Sequence, residues 1–282
     1  TANRATRPRH AWITRMDLSA FFSALLMGIV EGFTEFLPIS STGHLILLGE
    51  LIGFQGPPGK VFEISIQLGA ILAVCWIYRG LIIDLLRGMW RPGRERYYVI
   101  NLMLAFLPAA IIGFLFHSTI TTLLFNPWVV SVALILGGIA IIAIEKLRPA
   151  PSIHSVPEIG PLAALLVGLG QALAMIPGTS RSGATIITAL LIGVERRTAA
   201  EFSFVLAIPT MFAASFYSLW KVRGEIDPSA FGQIGVGFIA AFIVAFITVR
   251  AVLALIGRIG FTPFGYYRIA LGTIMLIVLA IS

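Results

Sequence analysis

The sequence predicts an all-α polytopic membrane protein with six transmembrane helices plus two re-entrant helical hairpins, arranged as an inverted-topology repeat. Three observations carry that expectation. Hydrophobic residues make up 58% of the 282 residues, and charged residues only 12%, about half the charged share of a soluble domain. Six apolar runs approach the ~20 helical residues that a bilayer core requires. Two further apolar regions are broken by Pro, Gly and hydroxyl residues, and the breaks match each other.

Thr1 to Arg15 is polar and basic, and is read as a tail that is compatible with a cloning remnant ahead of a native start at Met16. Residues 16–282 are read as a single integral membrane domain, with repeat halves over about 18–116 and 161–250. The first broken region covers about 18–53 and is interrupted at Pro38-Ile39-Ser40-Ser41-Thr42-Gly43. Spanning runs follow at roughly 62–78, 97–116 and 128–146. The second broken region covers about 161–193 and is interrupted at Pro177-Gly178-Thr179-Ser180-Arg181-Ser182-Gly183. Runs at roughly 200–220, 231–250 and 262–281 complete the chain. After each break the apolar piece would rise only ~16 Å as a helix, too short for a core of ~30 Å. Each region is therefore expected to enter and leave on one side. Non-helical backbone at that depth is tolerated only where protein or a wet cavity satisfies it.

The halves share a register. Gly28-Ile-Val-Glu31 aligns with Gly168-Leu-Gly-Gln171, Ser40 with Ser180 and Gly43 with Gly183, at one constant offset, with Pro38 and Pro177 one residue out. Phe62-Glu63-Ile64-Ser65 resembles Ala200-Glu201-Phe202-Ser203. Such repeats belong to transporter-like folds. Placing the Arg87–Arg96 interruption in the cytoplasm puts Lys146 and Arg148, Arg196 and Arg197, and Arg250 and Arg258 there too. It leaves 117–127, which has no Lys or Arg, outside. The hairpins then open to opposite sides and their tips can meet. That placement also accounts for the net charge of +7 without nucleic acid. Cys75 is the only cysteine and the four histidines are scattered, which excludes an internal disulfide and a cysteine metal cluster.

The chemistry sits at the breaks. Glu31 and Glu35 are one helical turn apart and share a face. Acidic groups inside an apolar hairpin are costly and usually functional. They suit a divalent cation, with one carboxylate available for acid–base work. Ser40, Ser41 and Thr42 cap a helix whose N-terminus at membrane depth is an anion site, and His44 follows closely. In the second break, Arg181 stands among Thr179, Ser180 and Ser182. A structural ion pair with Glu31 or Glu35 is its plainer use, and clamping a phosphate the functional one. Carboxylates, hydroxyls, an imidazole and a guanidinium together match metal-assisted phosphoryl transfer better than transport of a neutral solute.

The stretch Glu31-Gly-Phe-Thr-Glu35-Phe-Leu-Pro38-Ile-Ser-Ser41-Thr-Gly-His44 resembles the first signature of the bacitracin-resistance type undecaprenyl-diphosphate phosphatases. Pro177-Gly-Thr-Ser-Arg181-Ser-Gly-Ala-Thr185 resembles the second. The likeness runs from about Met16 through Phe62-Glu63, Glu201-Phe-Ser-Phe204 and Pro263-Phe-Gly-Tyr-Tyr-Arg268. It implies a multi-pass hydrolase of the bacterial inner membrane, with its active site opening outward. The implied reaction converts undecaprenyl diphosphate to the monophosphate and phosphate, recycling the carrier lipid for cell-wall synthesis and conferring bacitracin resistance. It implies a divalent cation, Mg²⁺ or Ca²⁺, with Glu31 and Glu35 as metal or acid–base residues. It further implies Ser41 as nucleophile, His44 as its helper and Arg181 as phosphate clamp. Ser40, Thr42, Thr179, Ser180 and Ser182 would add contacts to phosphate. The expected partners are the polyprenyl diphosphate and membrane lipid. A homo-oligomer, direct attack by water and a lipid or solute transporter stay open.

Overall fold

The computed structural model describes residues 17–54, 56–57, 60–224 and 228–281. The tail expected over 1–15 lies outside the described residues. Among the described residues the regular elements are all helices, with one isolated bridge between Ile153 and Val194. In order come α1 (Leu18–Thr34), α2 (Ser41–Ile52), α3 (Val61–Ile77), α4 (Arg79–Gly88), α5 (Arg94–Leu123) and α6 (Pro127–Leu147). Then follow α7 (Pro161–Ala172), α8 (Arg181–Leu191), α9 (Arg196–Val222), α10 (Phe231–Ile259) and α11 (Thr262–Ile281). Local signals set several boundaries. Asn126 accepts a hydrogen bond from the Val129 N–H at 2.9 Å, with Pro127 at the first helical position of α6. Pro161 likewise opens α7, after Gly160 and without a side-chain cap.

Among the described residues, α5, α6, α9, α10 and α11 are long and apolar enough to cross a membrane. The run expected over 62–78 is helical as α3, but its 17 residues end in a 75° bend into α4. α4 carries Arg79, Asp84 and Arg87, all exposed, so continuing the axis of α3 would carry three charges along an apolar span. The pair counts as a sixth span only if taken together. The outward surface is apolar. Phe114, Leu136, Trp220 and Ile247 are each more than 60% exposed, as a surface solvated by lipid requires.

Each broken region consists of two short helices, α1 packed on α2 and α7 packed on α8, of which α1, α2 and α7 are apolar. The halves interlock, because α1 lies on α10 of the second half and α7 on α5 of the first. Matched glycines permit this. A Cβ at Gly28 would stand 2.9 Å from the Cα of Gly237, and one at Gly168 would stand 2.8 Å from the Cα of Ala105. Backbones approach this closely where side chains are small, which is how helices gain van der Waals contact when lipid competes for apolar surface. Because each half grips the other's helix, the two breaks converge in the interior.

Candidate active site

Glu31 lies in the last turn of α1, and the Glu35 N–H donates to its carbonyl at 2.9 Å. The helical turn therefore continues through Glu35 and both carboxylates lie on one face. Only 1% of Glu31 and 8% of Glu35 is accessible. The chain then breaks over 35–40 and restarts as α2 at Ser41. The Ser41 hydroxyl donates to Glu35 Oε2 at 2.6 Å.

Arg181 opens α8 and reaches across from the second break. Its Nη2 donates to Glu35 Oε1 at 3.0 Å and its Nη1 to the carbonyl of Ser203 at 3.1 Å. The guanidinium stands over the ring of Phe36, 5.6 Å from the centroid, and Nη2 also approaches the Met211 sulfur at 3.4 Å. Its Nε is buried and has no hydrogen-bond partner among the described residues. The two uses foreseen for Arg181 are thus compatible: the ion pair with Glu35 exists, and one buried donor remains available. Buried donors without a protein partner are rare.

The residues before the two helix starts share a conformation. Ser40 has φ +69° and Ser180 has φ +74°, the left-handed region that costs a non-glycine residue ~1–3 kcal/mol. The constant register between the halves is thus matched by equivalent backbone. The two starts differ in their capping. The Ser180 hydroxyl accepts from the Gly183 N–H at 3.1 Å, whereas the Ser40 side chain makes no cap hydrogen bond to α2. The first N–H groups of α2 are therefore the better anion site. Ser182 is buried at the seam and donates to the Leu37 carbonyl at 2.8 Å, with Ser180 at 3.1 Å from its oxygen. The Ser182 hydroxyl thus joins the two breaks. Thr42 and Thr179 flank the seam and are partly exposed.

His44 is one turn into α2. Its Nδ1 is 2.8 Å from the Ser40 carbonyl and its Nε2 is 2.6 Å from the Tyr267 hydroxyl. The carbonyl can only accept, so Nδ1 carries the proton and Tyr267 donates to Nε2. His44 thus faces Tyr267, with its ring stacked on the tyrosine, and Ser41 is served by Glu35. Tyr267, Ser203 and Met211 complete the surroundings. The only sign of Tyr267 in the sequence was its place in the Pro263–Arg268 segment.

Two carboxylates are on hand for a cation. Glu35 is balanced by Arg181, while Glu31 forms no ion pair among the described residues. Among those residues no cluster of three or more His, Cys, Asp or Glu side chains could hold a metal alone. This donor set fits a cation that takes one or two carboxylates and fills its shell with substrate phosphate and water, as Mg²⁺ does. It does not fit an all-protein cage.

The family model described as bacitracin resistance protein BacA matches residues 24–274, which contain both breaks and every residue placed above. The chain belongs to the BacA family. Among curated proteins, this BacA-family chain is 51% identical over 261 residues to the undecaprenyl-diphosphatase of Methylococcus capsulatus, covering 93% of this chain and 96% of that protein. It is 49% identical over 256 residues to undecaprenyl-diphosphatase 2 of Paramagnetospirillum magneticum, covering 91% and 98%. It is 50% identical over 262 residues to the undecaprenyl-diphosphatase of Parvibaculum lavamentivorans, covering 93% and 98%.

Proposed function

We propose that this chain hydrolyses undecaprenyl diphosphate to undecaprenyl phosphate and inorganic phosphate, which would recycle the carrier lipid and confer bacitracin resistance. The observation that carries this reading is the buried line Ser41–Glu35–Arg181, in which one carboxylate accepts from a serine hydroxyl on one oxygen and from a guanidinium on the other. The names of the relatives supply the lipid.

The terminal phosphate binds at the N-terminus of α2, and the free Nε of Arg181 donates to one of its oxygens. Ser41 Oγ attacks phosphorus as Glu35 takes the hydroxyl proton. The Oγ–P bond forms, the bridging P–O bond breaks and undecaprenyl phosphate leaves. Glu35 then holds the proton until the monoester is hydrolysed: water adds to the phosphoserine, Ser41 recovers its hydrogen and phosphate departs. Arg181 keeps Glu35 oriented and balances the charge that gathers on the phosphoryl oxygens. The Tyr267–His44–Ser40 chain holds the start of α2 in place. A divalent cation held by Glu31 and Glu35 would supply further charge neutralisation for the diphosphate.

In this reading the α1–α2 and α7–α8 pairs are re-entrant hairpins entering from opposite faces of the bacterial inner membrane, and the site opens outward. Labelling with an impermeant thiol reagent checks the orientation. In a Cys75→Ser background on intact cells, a cysteine at Asn126 is expected to react and one at Arg91 to stay protected. The opposite pattern reverses the orientation.

Purified protein in detergent tests the function, because hydrolysis needs no second compartment and transport does. Phosphate release is expected in Mg²⁺ or Ca²⁺, to be lost in excess EDTA and to return on adding the metal. Glu31→Gln is expected to raise the metal concentration for half-maximal activity by about tenfold or more. Full activity in EDTA rejects the cation. Absence of phosphate release together with movement of the lipid across vesicles favours a transporter.

A further inference from the structure

Arg268 of α11 is fully buried, and among the described residues no carboxylate forms an ion pair with it. All its bonds go to backbone carbonyls, and they come from three places. Nη1 donates to Pro38 in the first break at 3.1 Å and to Thr179 in the second at 2.8 Å. Nη2 donates to Gly178 at 2.9 Å and to Ala133 of α6 at 3.1 Å, and Nε donates to Leu134 of α6 at 3.3 Å. The five N–H donors of a guanidinium thus meet five carbonyls. The break carbonyls are available because the helical ladder stops there, and the positive φ at Ser40, Gly178 and Ser180 sets the path of the chain at the seam. The α6 carbonyls are reachable because Gly137 has no side chain: a Cβ there would stand 2.7 Å from Cζ of Arg268.

We propose that Arg268 is the positioning residue of this site: by binding the carbonyls of both breaks at once, it fixes the offset between them, and hence the approach of Arg181 to Glu35 and Ser41. The inference rests on the proposed hydrolysis for its kinetic readout. Arg268 itself touches no substrate, since none of it is accessible. Its buried charge adds to the positive field at the start of α2. Only a planar group with donors on three nitrogens can span the breaks and α6 together.

Two readouts test it, one of them independent of activity. In Arg268→Lys, kcat is expected to fall by about 100-fold, the effect of a misplacement of about 1 Å, with KM within about threefold. In Arg268→Ala, added guanidinium is expected to restore part of kcat and ammonium none. Spin labels at Leu51 on α2 and Leu191 on α8, both exposed, are expected to show one narrow distance in the parent protein and a broadened one in Arg268→Lys. Gly137→Ala keeps the arginine but crowds it, and is expected to lower kcat with KM unchanged even if neither Arg268 variant folds. A folded Arg268→Lys or Gly137→Ala with kcat within about threefold of the parent, a loss confined to KM, or an unchanged label distance overturns the proposal. Absence of phosphate release from the parent instead overturns the functional reading, and the label distances still decide the role of Arg268.

Discussion

Ser41→Ala is expected to lower kcat by about 10⁴-fold while leaving affinity for the lipid within about tenfold. The Ser41 hydroxyl sits 2.6 Å from Glu35 Oε2 and is nearly inaccessible, so alanine removes the acceptor of the phosphoryl group and little else. The helix start, Arg181 and the apolar surroundings remain to bind the diphosphate. Single-turnover phosphate release in detergent measures the first quantity, and competition by the variant for a limiting amount of labelled lipid measures the second. Rapid acid quench with lipid labelled on its terminal phosphate adds a check, since phosphoserine survives acid. A Ser41→Ala variant within about tenfold of the parent rate rejects the nucleophile and leaves Ser41 as a hydroxyl that orients phosphate.

Arg181→Lys is expected to lower kcat/KM by about 10³-fold even though the charge is kept. The guanidinium holds Glu35 with Nη2 and the Ser203 carbonyl with Nη1, which leaves Nε for the substrate. A single ammonium cannot occupy the three places. It can still pair with Glu35, so the change avoids the ~3–5 kcal/mol cost of leaving one partner of a buried pair alone. A thermal transition close to that of the parent, with the rate lost, separates catalysis from folding. Activity within about tenfold of the parent would show that Arg181 acts only as a point charge.

The broken regions were readable because an apolar piece ending at Pro38 or Pro177 and restarting with hydroxyl residues can neither continue as one helix nor vanish into a polar loop. The shared register of Ser40 and Ser180 was readable for the same reason, and the structure gives both the same rare backbone conformation. The α4 helix was hidden. Its residues merged with the basic Arg87–Arg96 interruption, because an amphipathic helix bent 75° from its neighbour has no long apolar run. Partners across the fold were hidden as well. His44 and Tyr267 are 223 residues apart, and the service of Ser41 by Glu35 rather than His44 depends on which way the chain turns within the break. Arg268 showed in the sequence as one charge in an apolar run, at the end of the Pro263–Arg268 segment. That it spans both breaks depends on the packing of α11 against α6, through Gly138 and Gly265, whose Cβ positions would meet the opposing backbone carbonyl at 2.6 and 2.8 Å.

The stereochemical course at phosphorus tests the two-step account most directly. Undecaprenyl diphosphate whose terminal phosphorus carries sulfur and two oxygen isotopes in known configuration, hydrolysed in water of the third isotope, yields chiral thiophosphate. Each in-line displacement inverts the centre. Attack by Ser41 followed by attack of water inverts twice, so the account predicts net retention. Net inversion would mean that water attacks the lipid directly, and would contradict it.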